Sequence, residues 1–379
     1  MRNGNDEHQV RRSVDAILNN QDANGAIIAS PDFAQYGFCW LRDASFSAYA
    51  LDLAGEHAAS TNYHLWVNRA VTGIASTIDH AIAARLQGDE LGVLEMPPAR
   101  FSLGGTIVVD DWPNFQIDGY GTWLWSLGRH LELAGSTDLP DEYVDSVARV
   151  ARYLATFSLS PCYDVWEENG SDRHTSTLAC VYGGLSTAAR LLNNDDYLAS
   201  ALEVKEHVLA GGESTGYYVK SSANSDVDAS TLWLTEPFGV VDADDEYFAA
   251  TVALIEDRLT LNGGIRRYPT DVYFGSGAWP VLTASIGWHY VGIGNRANAE
   301  RCRQWIADHF DGEARLAEQY DGDLRDPLHY EEWVARWGRP AIDLTWSHAM
   351  YVVLCLALEG EMSSGDPASI GRERDARSR

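Results

Sequence analysis

Residues 24–56 read NGAIIASPDFAQYGFCWLRDASFSAYALDLAGE. The first part, about 24–42, mixes Gly, Pro, Asp and aromatic residues with no helical period. The second, about 43–56, places apolar residues three and four apart with alanine and leucine common, the signature of a helix. A long loop that delivers the chain into a helix is the unit from which the rest can be read. Similar loops run about 88–117, 158–173, 211–242, 262–280 and 311–342. Each ends where a helix pattern begins, near 43, 118, 174, 243, 281 and 343.

Helix-period segments cover 7–19, 43–56, 61–85, 119–134, 141–156, 174–192, 194–210, 243–259, 281–293, 295–310 and 343–359. Val/Ile alternation is scarce, and the best strand candidate is TIVVDDW at 106–112, a short strand or hairpin inside a loop. Six long loops feeding six helices, each with a partner, predict a ring of helical hairpins, an all-α (α/α)6 toroid whose long loops gather at one mouth. Periodicity leaves a helical solenoid open as the alternative. No linker or composition shift divides the chain, so residues 1–360 are expected to form a single domain. The tail 361–379, polar and turn-rich, is expected to be flexible.

The 379 residues carry a formal net charge of −27 with 45% hydrophobic content. That balance speaks for a globular fold and against nucleic acid or an anionic membrane as a partner. A neutral sugar meets no long-range repulsion on approach. Nearly all positive charge is arginine, Lys205 and Lys220 being the lysines. Cys39, Cys162, Cys180, Cys302 and Cys355 are odd in number, scattered, and form neither a disulfide framework nor a metal-spaced cluster. With no basic start leading into an apolar run, and no apolar stretch long enough to span a bilayer, a reducing, cytoplasmic setting is expected.

Long loops without helical pattern usually serve a site, and the unusual residues sit in them. QYGFCWLRDAS sets Tyr36 and Trp40 beside Arg42 and Asp43. The last two are either a helix cap with its counter-ion or a charged pair gripping sugar hydroxyls beneath stacking rings. DDWPNFQIDGYGTW brings Trp112 and Asp118 near one another as cavity residues, loop anchor or cap. In CYDVWEENGSDRHT, Glu167 and Glu168 follow Trp166, whose apolar wall would raise a neighbouring acid's pKa. RRYPTDVYFGSGAWP interleaves Arg267, Tyr268, Asp271, Tyr273 and Trp279. Rings suit the C–H faces of a sugar, while Arg and Asp make directional bonds to its hydroxyls. No Gly-rich loop opening a helix carries a Lys, so a phosphate cradle is not indicated. In LAEQYDGDLRDPLHYEEW, Glu318 is the candidate second carboxylate. Asp321, Asp323 and Asp326 resemble a loose calcium loop without the Gly and terminal Glu of an EF-hand. His174 and His348 read as structural.

The blocks WLRD, VWEENG, RRYPTDVYFGSGAW, AEQYD and DLTWSHAM, in that order across about 36–350, resemble the glucoamylase-type glycoside hydrolases, family 15. The resemblance implies an (α/α)6 barrel, no cofactor or metal, and inverting hydrolysis of α-glucosides from the non-reducing end. It implies that Glu167 is the general acid, Glu318 the general base, and Glu168 a substrate-binding neighbour. It places Arg42 and Asp43 on the terminal glucose with Tyr36 and Trp40 nearby. Trp112, Trp166 and Trp346 become pocket walls, Asp118 stands behind, and Arg267, Tyr268, Asp271, Tyr273 and Trp279 form a binding block. An inverting pair stands about 6.5–9.5 Å apart to admit water.

Three features depart from the fungal pattern. Asn-Gly follows Glu168 directly, Asn114 stands in place of an arginine, and Pro340 in place of a serine; they bear on linkage preference. A cytoplasmic enzyme meets short oligosaccharides, so isomaltose and other α-1,6-linked substrates are expected, as a monomer or simple homo-oligomer. Malto-oligosaccharides and trehalose are the alternatives within the class. A non-catalytic sugar-binding protein on the same toroid, a phosphorylase and an epimerase are the rivals outside it.

Overall fold

The computed structural model describes residues 4–136 and 138–360. The tail expected at 361–379 lies outside the described residues. The α-helices are α1 (Gly4–Asn19), α2 (Leu41–Leu53), α3 (His57–Gly73), α4 (Ala75–Gln87), α5 (Asp118–Leu133), α6 (Asp141–Phe157), α7 (Thr175–Leu192) and α8 (Asp195–Thr215). They continue with α9 (Glu246–Leu259), α10 (Pro280–Gly292), α11 (Arg296–Asp308), α12 (Pro327–Trp337) and α13 (Thr345–Glu359). Two short antiparallel ladders complete it: β1 (Cys39–Trp40) on β2 (Arg100–Phe101), and β3 (Thr260–Leu261) on β4 (Gly264–Ile265).

An inner ring runs α2, α5, α7, the 3₁₀ helix Ala229–Leu234, α10 and α13, and α13 packs back on α2. The outer layer is α1, the α3–α4 pair, α6, α8, α9 and α11. The two layers differ in sequence character. α13 is buried from Thr345 to Leu358 and α2 from Leu41 to Asp52, so apolar or small residues surround each helix. α6 shows the amphipathic alternative, with Tyr143, Val147, Val150 and Leu154 inward and Asp141, Glu142 and Asp145 outward. Ring closure rules out the open solenoid. Thr345 N–H donates to Ala29 O (2.9 Å), its hydroxyl donates to Ile28 O (2.7 Å), and Asn20 Nδ2 donates to that hydroxyl (3.0 Å).

Four details correct the sequence reading. The segment 61–85 is two helices, parted at Ile74, whose φ of −106° and ψ of 17° leave the helix. Ile74, Ile78 and Ala81 stay on the buried side, so the apolar period runs through the break unseen. The inner position expected from a helix near 243 is filled by Ala229–Leu234, and α9 lies outside it. All six residues of that 3₁₀ turn are buried, but one short turn is too brief to show a period. The loop 311–342 contains α12, whose residues are nowhere fully buried. TIVVDDW forms no ladder strand: Ile107 bridges Phe101, and Val109 stands 94% exposed.

Packing within the ring is closest between α5 and α7. A Cβ on Gly121 would lie 2.3 Å from the Cys180 carbonyl oxygen, and one on Gly184 would lie 2.6 Å from the Gly121 Cα. Neither obstacle is a side chain that can swing away. Gly211 on α8, by contrast, has open space where a Cβ would stand. Gly121→Ala is therefore expected to lower stability by about 1–3 kcal/mol through overpacking. Gly211→Ala should raise it by about 0.5–1 kcal/mol. Urea unfolding of the two variants checks the opposite signs.

Candidate active site

One cavity of about 290 Å3 opens at the mouth where the long loops meet the inner helices. Thirteen of the candidate residues line it: Tyr36, Trp40, Arg42, Asp43, Trp112, Trp166, Glu167, Glu168, Arg267, Tyr273, Trp279, Glu318 and Trp346. Asp118, Tyr268 and Asp271 stand behind this wall and hold its members.

The ladder of β1 on β2 fixes the first wall. It pairs Trp40 with Arg100, whose guanidinium lies 3.9 Å from the Trp112 ring centroid and 4.3 Å from that of Phe38. Arg100 is tied down by Gln35 O (3.1 Å) and Asp110. Trp40 then meets Trp112 edge-on at 5.7 Å and Tyr36 at 5.6 Å. At the start of α2, Arg42 donates to Asp118 (3.0 Å) and pairs with Asp43 (3.2 Å), with Trp346 5.3 Å beneath it. Both residues are buried, and Arg42 Nε and Trp346 Nε1 have no partner among the described atoms. Asp118 settles one open choice: it is the buried counter-ion that fixes Arg42.

The second wall is the turn carrying both adjacent glutamates. Asp164 shapes it. Its Oδ1 accepts the backbone N–H of Trp166 (3.0 Å) and Glu168 (2.8 Å), and its carbonyl accepts that of Glu167 (2.9 Å). Glu167 adopts a φ of 67°, in the left-handed region that costs a side-chain-bearing residue energy. The conformation aims its carboxyl at Trp40, whose indole N–H donates to it at 2.5 Å. Burial pushes the Glu167 carboxyl above its usual range, against Arg42 and the indoles of Trp40 and Trp112. Glu168 turns the other way and accepts from Tyr268 OH (2.5 Å) and Arg267 (3.3 Å). Arg267 is clamped on Asp271.

Glu318 forms the third wall and is 3% exposed. Its N–H donates to Ala341 O (2.8 Å), next to Pro340. Its carboxyl accepts Tyr36 OH (2.7 Å) and Tyr273 OH (3.2 Å), and the two phenols are 3.0 Å apart. Burial pushes this carboxyl up to about 7, although Tyr36, Arg267 and Tyr273 all favour the charged form. Gln319 pins the segment, donating to Phe274 O (2.7 Å) and accepting from Trp279 Nε1 (3.1 Å). Beyond it, Asp321 accepts Tyr330 OH (2.6 Å) and Asp326 pairs with His329 (2.8 Å).

Several site residues escaped the sequence reading. Trp333 and Trp337 of α12 line the cavity, and their i,i+4 spacing was the available signal. Phe33, Gln35 and Phe274 line it as well, from loops where no spacing marks them. Most consequential is Lys220, buried behind the glutamate turn. Its Nζ lies 2.9 Å from Asp164 Oδ2 and 2.9 Å from Asp228 Oδ2, and Asp228 also accepts the Trp166 indole N–H (2.9 Å). Burial works against its charge, but Asp228 and Asp164 outweigh that and push its pKa up to about 12. Lys220→Met leaves two buried carboxylates without their cation and is expected to cost about 3–5 kcal/mol. The double variant Lys220→Met/Asp228→Asn should recover part of the loss in urea unfolding; no loss in the single variant would remove Lys220 from this role.

Seven tryptophans and two tyrosines thus line the cavity around Glu318, which is buried, and Glu167, which is partly buried. The model of the glycosyl hydrolases family 15 matches residues 6–304. An isomaltose glucohydrolase from Kribbella flavida is 38% identical over 355 residues, 92% of each chain. Trehalase 1 from Sulfolobus acidocaldarius is 23% identical over 70% of this chain and 48% of its own length. A glycosidase solved in complex with glucose superposes with a TM-score of 0.90 at 36% identity, covering 95% of this chain and 98% of its own. The glucoamylase of Saccharomycopsis fibuligera, at 18% identity and a TM-score of 0.72 over 94% of this chain and 95% of its own, shares the fold. The chain belongs to the glycosyl hydrolases family 15 and is a glycoside hydrolase.

Proposed function

We propose that the chain is an exo-acting, inverting α-glucoside hydrolase that releases β-glucose from the non-reducing end of isomaltose and short α-1,6-linked oligosaccharides. The observation that carries the reading is one ring-lined cavity holding two glutamates in unlike surroundings, Glu318 buried and Glu167 partly buried. Glu167 accepts the Trp40 indole N–H, while Glu318 accepts two phenols that stabilise a carboxylate. The α-1,6 preference is supported by the likeness to an isomaltose glucohydrolase over nearly the full length of both chains.

In the proposed reaction, the substrate's terminal glucose enters the cavity with Arg42 and Asp43 on its hydroxyls and Trp40, Trp112 and Trp346 against its faces. Glu167 gives its proton to the glycosidic oxygen as the bond to the anomeric carbon breaks. Glu318 takes a proton from a water that attacks the same carbon from the opposite face, so the configuration inverts. The aromatic walls exclude other water and strengthen the field of Asp43 and Glu318 on the developing positive charge. Glu168, held by Tyr268 and Arg267, faces the side of the leaving sugar.

Glu318 acts only when ionised. Its carboxyl is held near 7 in the free site, so kcat/KM should fall as pH drops through about 7. Glu167 acts only when protonated, and burial holds its carboxyl above the usual range. Tyr273→Phe removes a hydrogen bond that favours the charged form. A bond of about 1 kcal/mol corresponds to ~0.7 pH unit, so the acidic limb should move up by that amount. A limb that stays put would take Tyr273 out of the base's environment.

The deciding experiment incubates the enzyme with isomaltose, maltose and trehalose and follows the released anomer by proton NMR. β-Glucose, fastest from isomaltose, is expected. Initial release of α-glucose would refute inversion, and a preference for maltose or trehalose would reassign the linkage. Glu167→Gln and Glu318→Ala should each lower kcat by at least ~100-fold.

A further inference from the structure

At the end of the ring away from the cavity, Asp52, His64 and His130 meet in the interior with their ligand atoms all within 4.8 Å of one another. Asp52 closes α2, His130 lies in the last turn of α5, and His64 comes from α3. Nine residues separate Asp43 from Asp52, or roughly 14 Å along the helix. The cluster is therefore clear of the hydrolytic site. His64 is fully buried (0% exposed), yet neither ring nitrogen has a hydrogen-bond partner among the described residues. A buried imidazole without any partner is costly unless something binds it.

His130 faces the same point. Its Nδ1 lies 2.9 and 3.0 Å from the Asp52 oxygens, and its Nε2 lies 3.1 Å from Thr61 Oγ1. Asp52 also accepts Ser60 Oγ (2.6 Å). These contacts hold Asp52 and His130 in place and leave His64 beside them without a partner among the described residues.

We infer that Asp52, His64 and His130 form a binding site for a divalent transition-metal ion of the zinc type, which ties α2, α3 and α5 together at the closed end of the barrel. Imidazoles and one carboxylate suit zinc, and tetrahedral ligands at ~2 Å from the metal stand about 3.3 Å apart, between the 2.9 Å of His130 to Asp52 and the 4.8 Å span of the cluster. Thr61 orients the ligand His130 through its outer nitrogen, the usual support of a metal-bound histidine. His57, 2.9 Å from Asp52 and 46% exposed, faces solvent and marks the route of entry.

The test uses tag-free full-length protein, stripped with chelator, dialysed, and titrated with Zn2+ and separately with Co2+. One equivalent of Zn2+ should survive gel filtration, Tm should rise by at least ~2 °C, and Co2+ should give the visible bands of a four-coordinate site. Thr61→Val is expected to weaken Zn2+ binding by about 10–100-fold. His64→Leu should abolish binding and the Tm rise while leaving glycoside hydrolysis unchanged. Failure of the wild-type chain to hold Zn2+ or Co2+ overturns the site and leaves His130 as a hydrogen-bond partner of Asp52. Full stoichiometry retained in His64→Leu overturns it as well. If His64→Leu does not fold, the wild-type titrations and Thr61→Val decide alone.

Discussion

Thr345 joins the two ends of the ring. Its backbone N–H and its hydroxyl both donate to the loop before α2, at Ala29 and Ile28, and Asn20 at the end of α1 donates back to it. Next to it, His348 reaches Ser13 of α1 at 3.0 Å and takes the Leu316 N–H at 3.2 Å. Without this seam, α13 loses its cover on the α2 side, and the last long loop has no fixed position relative to the first. The carboxyl of Glu318 and the phenol of Tyr36 are 282 residues apart in sequence and 2.7 Å apart in space because the ring closes. The catalytic geometry proposed for this enzyme is a consequence of that closure.

Charge explains the rest of the pocket's construction. A chain with a formal net charge of −27 must bury carboxylates without letting them repel one another apart. It does so by giving each buried acid its own cation or donor set: Arg42 for Asp43 and Asp118, Lys220 for Asp164 and Asp228, Arg267 for Asp271 and Glu168. Glu167 and Glu318 are the exceptions. Each receives neutral donors at close range, indole in one case and phenol in the other, and burial raises both. Carboxyls raised in this way hold a proton more readily than salt-bridged ones do.

The same economy of cations frames the cluster at the other end. Among the described residues, Asp52 is hydrogen-bonded by histidines and a serine and by no arginine or lysine. A bound divalent ion there would complete the pattern set by Arg42, Lys220 and Arg267. It would also fasten the closed end of a ring whose open end must stay free to admit sugar.

The sequence by itself marked a set of helical hairpins, since six long loops each lead into a helix and a helix buried on all sides is written in its own residues. Closure of the ring at Thr345, which excludes the open solenoid, belongs to the tertiary structure. Motif order also marked most of the cavity wall, from Trp40 to Trp346, because rings and charges concentrated in loops have few other uses. Five further features came only from the tertiary structure. The helix break at Ile74 and the 3₁₀ turn at Ala229–Leu234 left no periodic trace, one because the buried face continues through it and the other because it is too short. Lys220, Asp164 and Asp228 are scattered residues of ordinary type, and only folding brings them within 2.9 Å contacts of one ammonium. Trp333 and Trp337 belong to a helix whose exposed face looks like any surface until it is seen lying over the mouth. His64 and His130 are 66 residues apart on two different helices, with no metal-ligand spacing between them. A sequence records which groups are present and what local structure they favour; which of them share a dielectric and a distance is decided by the closure of the ring.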